Sequence, residues 1–161
     1  MRLIVTVKAS TYMKKLVLIF LLVSCSGKEI SEVYVEDGIA INGYDPVAYF
    51  TESKPIPGSD EFTFQWNSAT WKFSTHENME AFKAQPEKFS PVFGGYCAYG
   101  MSNGEGYKAT TVPQAWTILD DKLYLNYNLK VKDKWLENQQ ERINEAWGNW
   151  PRVKNDVEVK R

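Results

Sequence analysis

Apolar and polar positions along the chain follow three rhythms. The first is a continuous apolar run of eight residues, Leu16 to Val23. The second is strict alternation, which marks a half-buried strand. It appears at Phe62, Phe64 and Trp66, with Thr63 and Gln65 between them. Asn67-Ser68 supplies a turn and Thr70 to Phe73 a return strand, so a hairpin is predicted. A second hairpin is predicted from Ala115–Leu119, the turn Asp120-Asp121 and Lys122–Tyr127. The third rhythm is helical. Ser74 or Thr75 opens a helix with Met79, Phe82 and Phe89 on its apolar face, and Pro86 interrupts it and restarts a short helix at Glu87. From Leu129 to about Asn149 one long helix is predicted, with Val131, Trp135, Ile143 and Trp147 on one side and Trp150-Pro151 as its end.

The segments between are turn-like. Asp45 before Pro46 caps a short helix running to about Phe50. Pro55 to Asp60 reads as a loop, and Gly94-Gly95 lets the backbone pass close to a neighbour. The fold class that follows is α+β: two β-hairpins packed with short helices and a longer C-terminal helix. At 161 residues, 43% hydrophobic and 14% aromatic, the chain suits one domain with a substantial core.

The apolar run changes the picture of the N-terminus. It is too short for a hydrocarbon core that needs about 20 residues. It follows Met13-Lys14-Lys15 and stops at Cys25-Ser26-Gly27, the layout of a secretory signal. Residues 1–24 are thus expected to be a signal peptide, with Met13 as the true start. Leu22-Val23-Ser24-Cys25 resembles the bacterial lipoprotein lipobox, which implies cleavage before Cys25 and lipid on its thiol and new amino group. The implied location is the bacterial cell envelope, lipid-anchored, periplasm-facing or at the outer membrane. Residues 25–37 then form a lipidated Cys and tether, residues 38–151 the domain, and residues 152–161 a charged tail.

Charge follows the same division. The whole chain carries 19 basic and 20 acidic residues. Four of the basic ones, Arg2, Lys8, Lys14 and Lys15, lie before Cys25. The remainder is mildly acidic and has no basic footprint for nucleic acid.

A series of motifs resembles one family. Tyr44-Asp45-Pro46-Val47-Ala48-Tyr49-Phe50, Ala69-Thr70-Trp71-Lys72-Phe73-Ser74, Glu77-Asn78, Ala81-Phe82 and Pro86-Glu87-Lys88-Phe89 together resemble the YHS domain. Gly94 to Gly100, Ala115 to Ile118, Leu123 to Asn128 and Asn149-Trp150-Pro151 are similar to a bacterial subgroup of that family. The resemblance implies a non-enzymatic envelope module in metal or cofactor handling, a soft ion such as copper being the candidate. It departs at Ala48, Ser74 and Asn78, where the metal-associated form carries cysteines. Soft metals prefer thiolates, so ligation does not transfer to these positions.

With two cysteines and one histidine, few sites are open. A four-ligand Cys/His zinc site is excluded. If Tyr96–Met101 is helical, Cys97 and Met101 share a face and, with His76, compose a candidate soft-metal set. Equally, Cys97 is a small buried hydrophobe in a Gly-flanked turn. An enzyme would need Cys97 as nucleophile and His76 as base. A further reading is a binding module for an organic ligand or an envelope protein partner. Tyr44, Tyr96, Tyr99, Tyr107, Tyr124, Tyr127 and Trp116 compose either a ligand cleft or core, with Asp45 and Asn126 as polar groups. That reading expects a pocket lined by Tyr96, Tyr99 and Trp116.

Overall fold

The computed structural model describes residues 30–161. The signal segment 1–24, the start at Met13, the lipidation site Cys25 and the beginning of the tether lie outside the described residues. Within them, no helix is long and apolar enough to cross a membrane.

The chain enters through two short strands, β1 (Val35–Glu36) and β2 (Ile39–Ala40), antiparallel to each other. Val33 and Tyr34 are already buried. The tether expected over residues 25–37 therefore ends earlier, because its apolar residues join the core. A 3-10 turn at Ile41–Gly43 leads to α1 (Ala48–Thr51). The first predicted hairpin is β3 (Ser59–Trp66) with β4 (Ala69–Phe73). Its turn residues Asn67 and Ser68 both have positive φ, which matches the right-handed twist of the strands they join. β3 starts inside the segment expected to be a loop, because Ser59 pairs with Phe73 across a register shift. The four strands form one sheet in the order β1-β2-β4-β3, with β2 parallel to β4.

α2 (His76–Ala84) begins as predicted: the Thr75 side chain accepts the Asn78 N–H. α3 (Pro86–Phe89) restarts at the proline itself. Met79, Phe82 and Phe89 all go inside. Phe82 meets Trp66, Trp71 and Phe73, with ring centroids 4.9–5.6 Å apart. This cluster is the first of two cores.

α4 (Ala98–Ser102) and β5 (Lys108–Ala109) follow. The second hairpin is β6 (Trp116–Leu119) with β7 (Lys122–Leu125), turning at Asp120-Asp121. The predicted long helix is two helices, α5 (Leu129–Glu137) and α6 (Gln139–Val153). Asn138, with φ −134° and ψ 49°, breaks the hydrogen-bond ladder between them. The break resets the phase of the apolar stripe. Trp135 and Ile143 are buried in the second core, whereas Val131 is half-buried and Trp147 is 45% exposed. Pro151 does not end α6 either. The bond it forgoes is to the carbonyl of exposed Trp147, and fully buried Val153 draws the last turn inward. Residues expected to be a charged tail return as β8 (Val159–Lys160), parallel to β5.

Candidate functional site

Cys97 sits at the N-cap of α4, held there because its own N–H donates to the Ala109 carbonyl. Its sulfur is fully engaged. Sγ accepts the backbone N–H of Gly100 at 3.4 Å and of Tyr127 at 3.3 Å. The thiol donates to Asn126 Oδ1 at 3.7 Å. Burial pushes the thiol pKa up, partly offset by these backbone donors. A protonated, buried thiol is a poor nucleophile and a poor metal ligand.

Asn126 organises this corner from β7's end. It is fully buried, and its Oδ1 also accepts the Tyr99 N–H at 3.1 Å. Its backbone bonds Ala115 and Val112 on the facing segment. Its Nδ2 has no partner among the described residues.

Outward from Cys97 opens a cleft of about 320 Å³. Tyr99, Tyr107 and Tyr127 line it, with Ala109 and Val131 between them. Lys160 and Arg161 complete the wall, brought there by the β5–β8 pairing. Lys160 Nζ lies 3.8 Å from the centre of the Tyr107 ring. The Arg142 guanidinium covers Tyr99 at 4.4 Å. Arg161 also reaches Glu36, at 3.2 Å. No Asp or Glu lines this cleft among the described residues. Its chemistry is therefore aromatic walls, an inert floor and a cationic rim.

The other expected residues go elsewhere. Tyr96 is core: its hydroxyl donates to the carbonyls of Ser31 and Val33, and burial pushes its pKa up to about 12. Trp116 packs on Tyr49 on another face, under Lys132. Tyr44 bridges Pro57, and Tyr124 stacks on Trp135 in the core. The pocket expected from Tyr96, Tyr99 and Trp116 is thus built from Tyr99, Tyr107 and Tyr127.

Met101 is fully buried in the second core. His76 starts α2 with its side chain 62% exposed, near Glu80 and edge-on to Phe62. Neither Met101 nor His76 is among the hydrogen-bond partners of the Cys97 sulfur or the lining of its cleft, although the Met101 N–H bonds the Cys97 carbonyl. Among the described residues, no group of three or more His, Cys, Asp or Glu stands ready for a metal ion.

Asp45 lies in a separate polar knot. It is fully buried. Oδ1 accepts from the N–H groups of Val47 (2.9 Å) and Ala48 (3.3 Å), the capping role read from Asp-Pro. Oδ2 accepts from Ser74 N (2.8 Å), Ser74 Oγ (2.6 Å) and Asn78 Nδ2 (2.7 Å). Ala48, Ser74 and Asn78 thus meet around one carboxylate. Five donors satisfy its charge and leave no open position.

Lys160 and Arg161 had no signal in the sequence beyond charge, because only the parallel pairing of β8 brings them to the cleft. No family model, no curated protein and no solved structure matches the chain.

Proposed function

We propose that the chain is a YHS-like lipoprotein of the bacterial cell envelope. Its domain is a non-enzymatic binding module that takes a small aromatic or apolar organic anion into the Cys97 cleft. The cleft carries this reading: three tyrosine walls, the Lys160 ammonium and an Arg161 guanidinium shared with Glu36, with no Asp or Glu lining it among the described residues, favour a flat anionic ligand. A copper-holding role is less well supported, since the thiol already receives two N–H groups and Met101 and His76 sit elsewhere. The order of the motifs supports the family reading, and so does the meeting of Ala48, Ser74 and Asn78 around Asp45. The envelope location rests on Leu22-Val23-Ser24-Cys25 after Met13-Lys14-Lys15.

Calorimetric titration of the protein with benzoate, phenyl phosphate and neutral benzyl alcohol tests the binding function. The anions are expected to bind saturably, and Lys160→Ala to weaken them about tenfold, while Cys97→Ser leaves affinity unchanged. Equal affinity for benzyl alcohol, or indifference to Lys160→Ala, would overturn it. The anchor has its own test: an alkyne fatty acid fed to a bacterial host labels the wild-type protein and not Cys25→Ser.

A further inference from the structure

A second and larger cleft, of about 560 Å³, lies where the two cores meet. Four of the chain's six tryptophans border it, of which Trp66, Trp147 and Trp150 present surface and Trp71 is buried beneath. Trp66 and Trp71 come from the β3–β4 hairpin, with ring centroids 5.7 Å apart. Trp147 and Trp150 come from α6, three residues apart on one helical face. Both α6 rings rest on Phe93, at 5.0 and 5.8 Å. Trp147 remains 45% exposed although it lies within a folded surface. Of the four indole N–H groups, only that of Trp71 is bonded among the described residues, to the Trp66 carbonyl.

The polar lining is mixed. Asp120 and Asp121, the turn of the β6–β7 hairpin, are exposed and make no ion pair among the described residues. Glu87 and Lys88 face in from α3, and Lys122 stands next to the turn. Glu32 is held by Lys154 at 3.0 Å. Acids outnumber lysines here, so an anionic ligand is disfavoured. An organic cation would have to sit beside Lys88 and Lys122, and choline is the control for that alternative. A hydrocarbon would bury the carboxylates without partners, at a cost.

A neutral polyhydroxylated ring fits each part. Its C–H face lies on an indole plane, and its hydroxyls donate to carboxylates and accept from ammonium and indole N–H groups. We propose that this cleft is a binding site for a neutral oligosaccharide. The volume is in the range of ligand sites and large enough for more than one sugar ring. The site is independent of the Cys97 cleft and of what that cleft binds.

Titrating the full chain with cellotriose, maltotriose and chitotriose, followed by tryptophan emission and calorimetry, tests the proposal. At least one trisaccharide is expected to bind saturably and shift the emission. Trp147→Ala should weaken it about tenfold or more, and Asp121→Asn measurably. Asp121 lies in an exposed turn, so that variant retains the fold even if the tryptophan variant does not. Lys160→Ala, in the other cleft, should leave the affinity unchanged. Three outcomes would overturn the proposal: no saturable binding of any of the three sugars, unchanged affinity in both cleft variants, or choline binding as tightly as the best sugar.

Discussion

Asp45 shows how one side chain sets local structure over a distance. Its two oxygens start α1 and also fix the junction of β4 with α2 through Ser74 and Asn78. Among the described residues no cation pairs with it; five hydrogen-bond donors satisfy its charge. Asp45→Ala removes every acceptor at once and leaves buried N–H groups unpaired, so it is expected to cost about 3 kcal/mol or more. Asp45→Asn should rescue little, because its amide would point N–H donors at the Ser74 N–H or at the Asn78 amide. A urea melt of both variants against wild type checks this. Half of Asp45's role was legible: an Asp-Pro pair announces a cap. The other half was not, because Ser74 and Asn78 lie 29 and 33 residues away and only the fold brings them in. Gly94 was read correctly as a point of close approach. It has φ +63°, and a Cβ there would sit 1.7 Å from the Glu32 carbonyl oxygen.

Among the elements, the hairpins were the most legible. Alternation and a two-residue turn are local properties, and both hairpins lie where those signals place them. The helical stripe over 129–149 misled because its spacing assumed one unbroken helix. Asn138 interrupts it, and a break of one residue rotates everything after it. β8 was invisible for a different reason. Two residues carry no periodicity, and the pairing with β5 is non-local. That strand gives the Cys97 cleft its cationic wall. A chain ending at Glu158 is expected to keep its melting temperature within a few degrees and to lose most benzoate affinity. Circular dichroism melts beside the same titration separate the two effects.

For the whole molecule, the burial of tyrosine hydroxyls sets the response to pH. Tyr96 is pushed up to about 12, and Tyr34, Tyr49 and Tyr124 also lie above their ordinary value of 10.0, chiefly through burial. Cys97 lies above 9.0 for the same cause. In each case the folded chain keeps a proton that the unfolded chain releases. Their contribution is complete below the unfolded pKa values and declines as pH rises from about 9 through 12. Lys108 acts in the opposite sense. Burial lowers it below 10.5, so the unfolded chain holds its proton longer and stability gains as pH rises toward that value. Four tyrosines and a thiol outweigh one lysine. The urea midpoint is therefore expected to fall between pH 9 and pH 11; a midpoint that rises over that range would contradict the account.

The same Lys108 has a mechanical meaning. Its ammonium donates to the carbonyls of Ser31 (2.8 Å), Lys154 (2.8 Å) and Asp156 (2.7 Å), above the face of Tyr96. The Ser31 carbonyl also receives the Tyr96 hydroxyl. A pull on the chain at Ile30 therefore meets resistance one residue later. The load passes into β5 and the end of α6 instead of peeling β1 from β2, a ladder of only two residue pairs. Unravelling from that end must break both bonds to the Ser31 carbonyl, from the Lys108 ammonium and from the Tyr96 hydroxyl, before β1 is loaded. A domain held by this end would yield in shear, as a rivet does, rather than open like a zip.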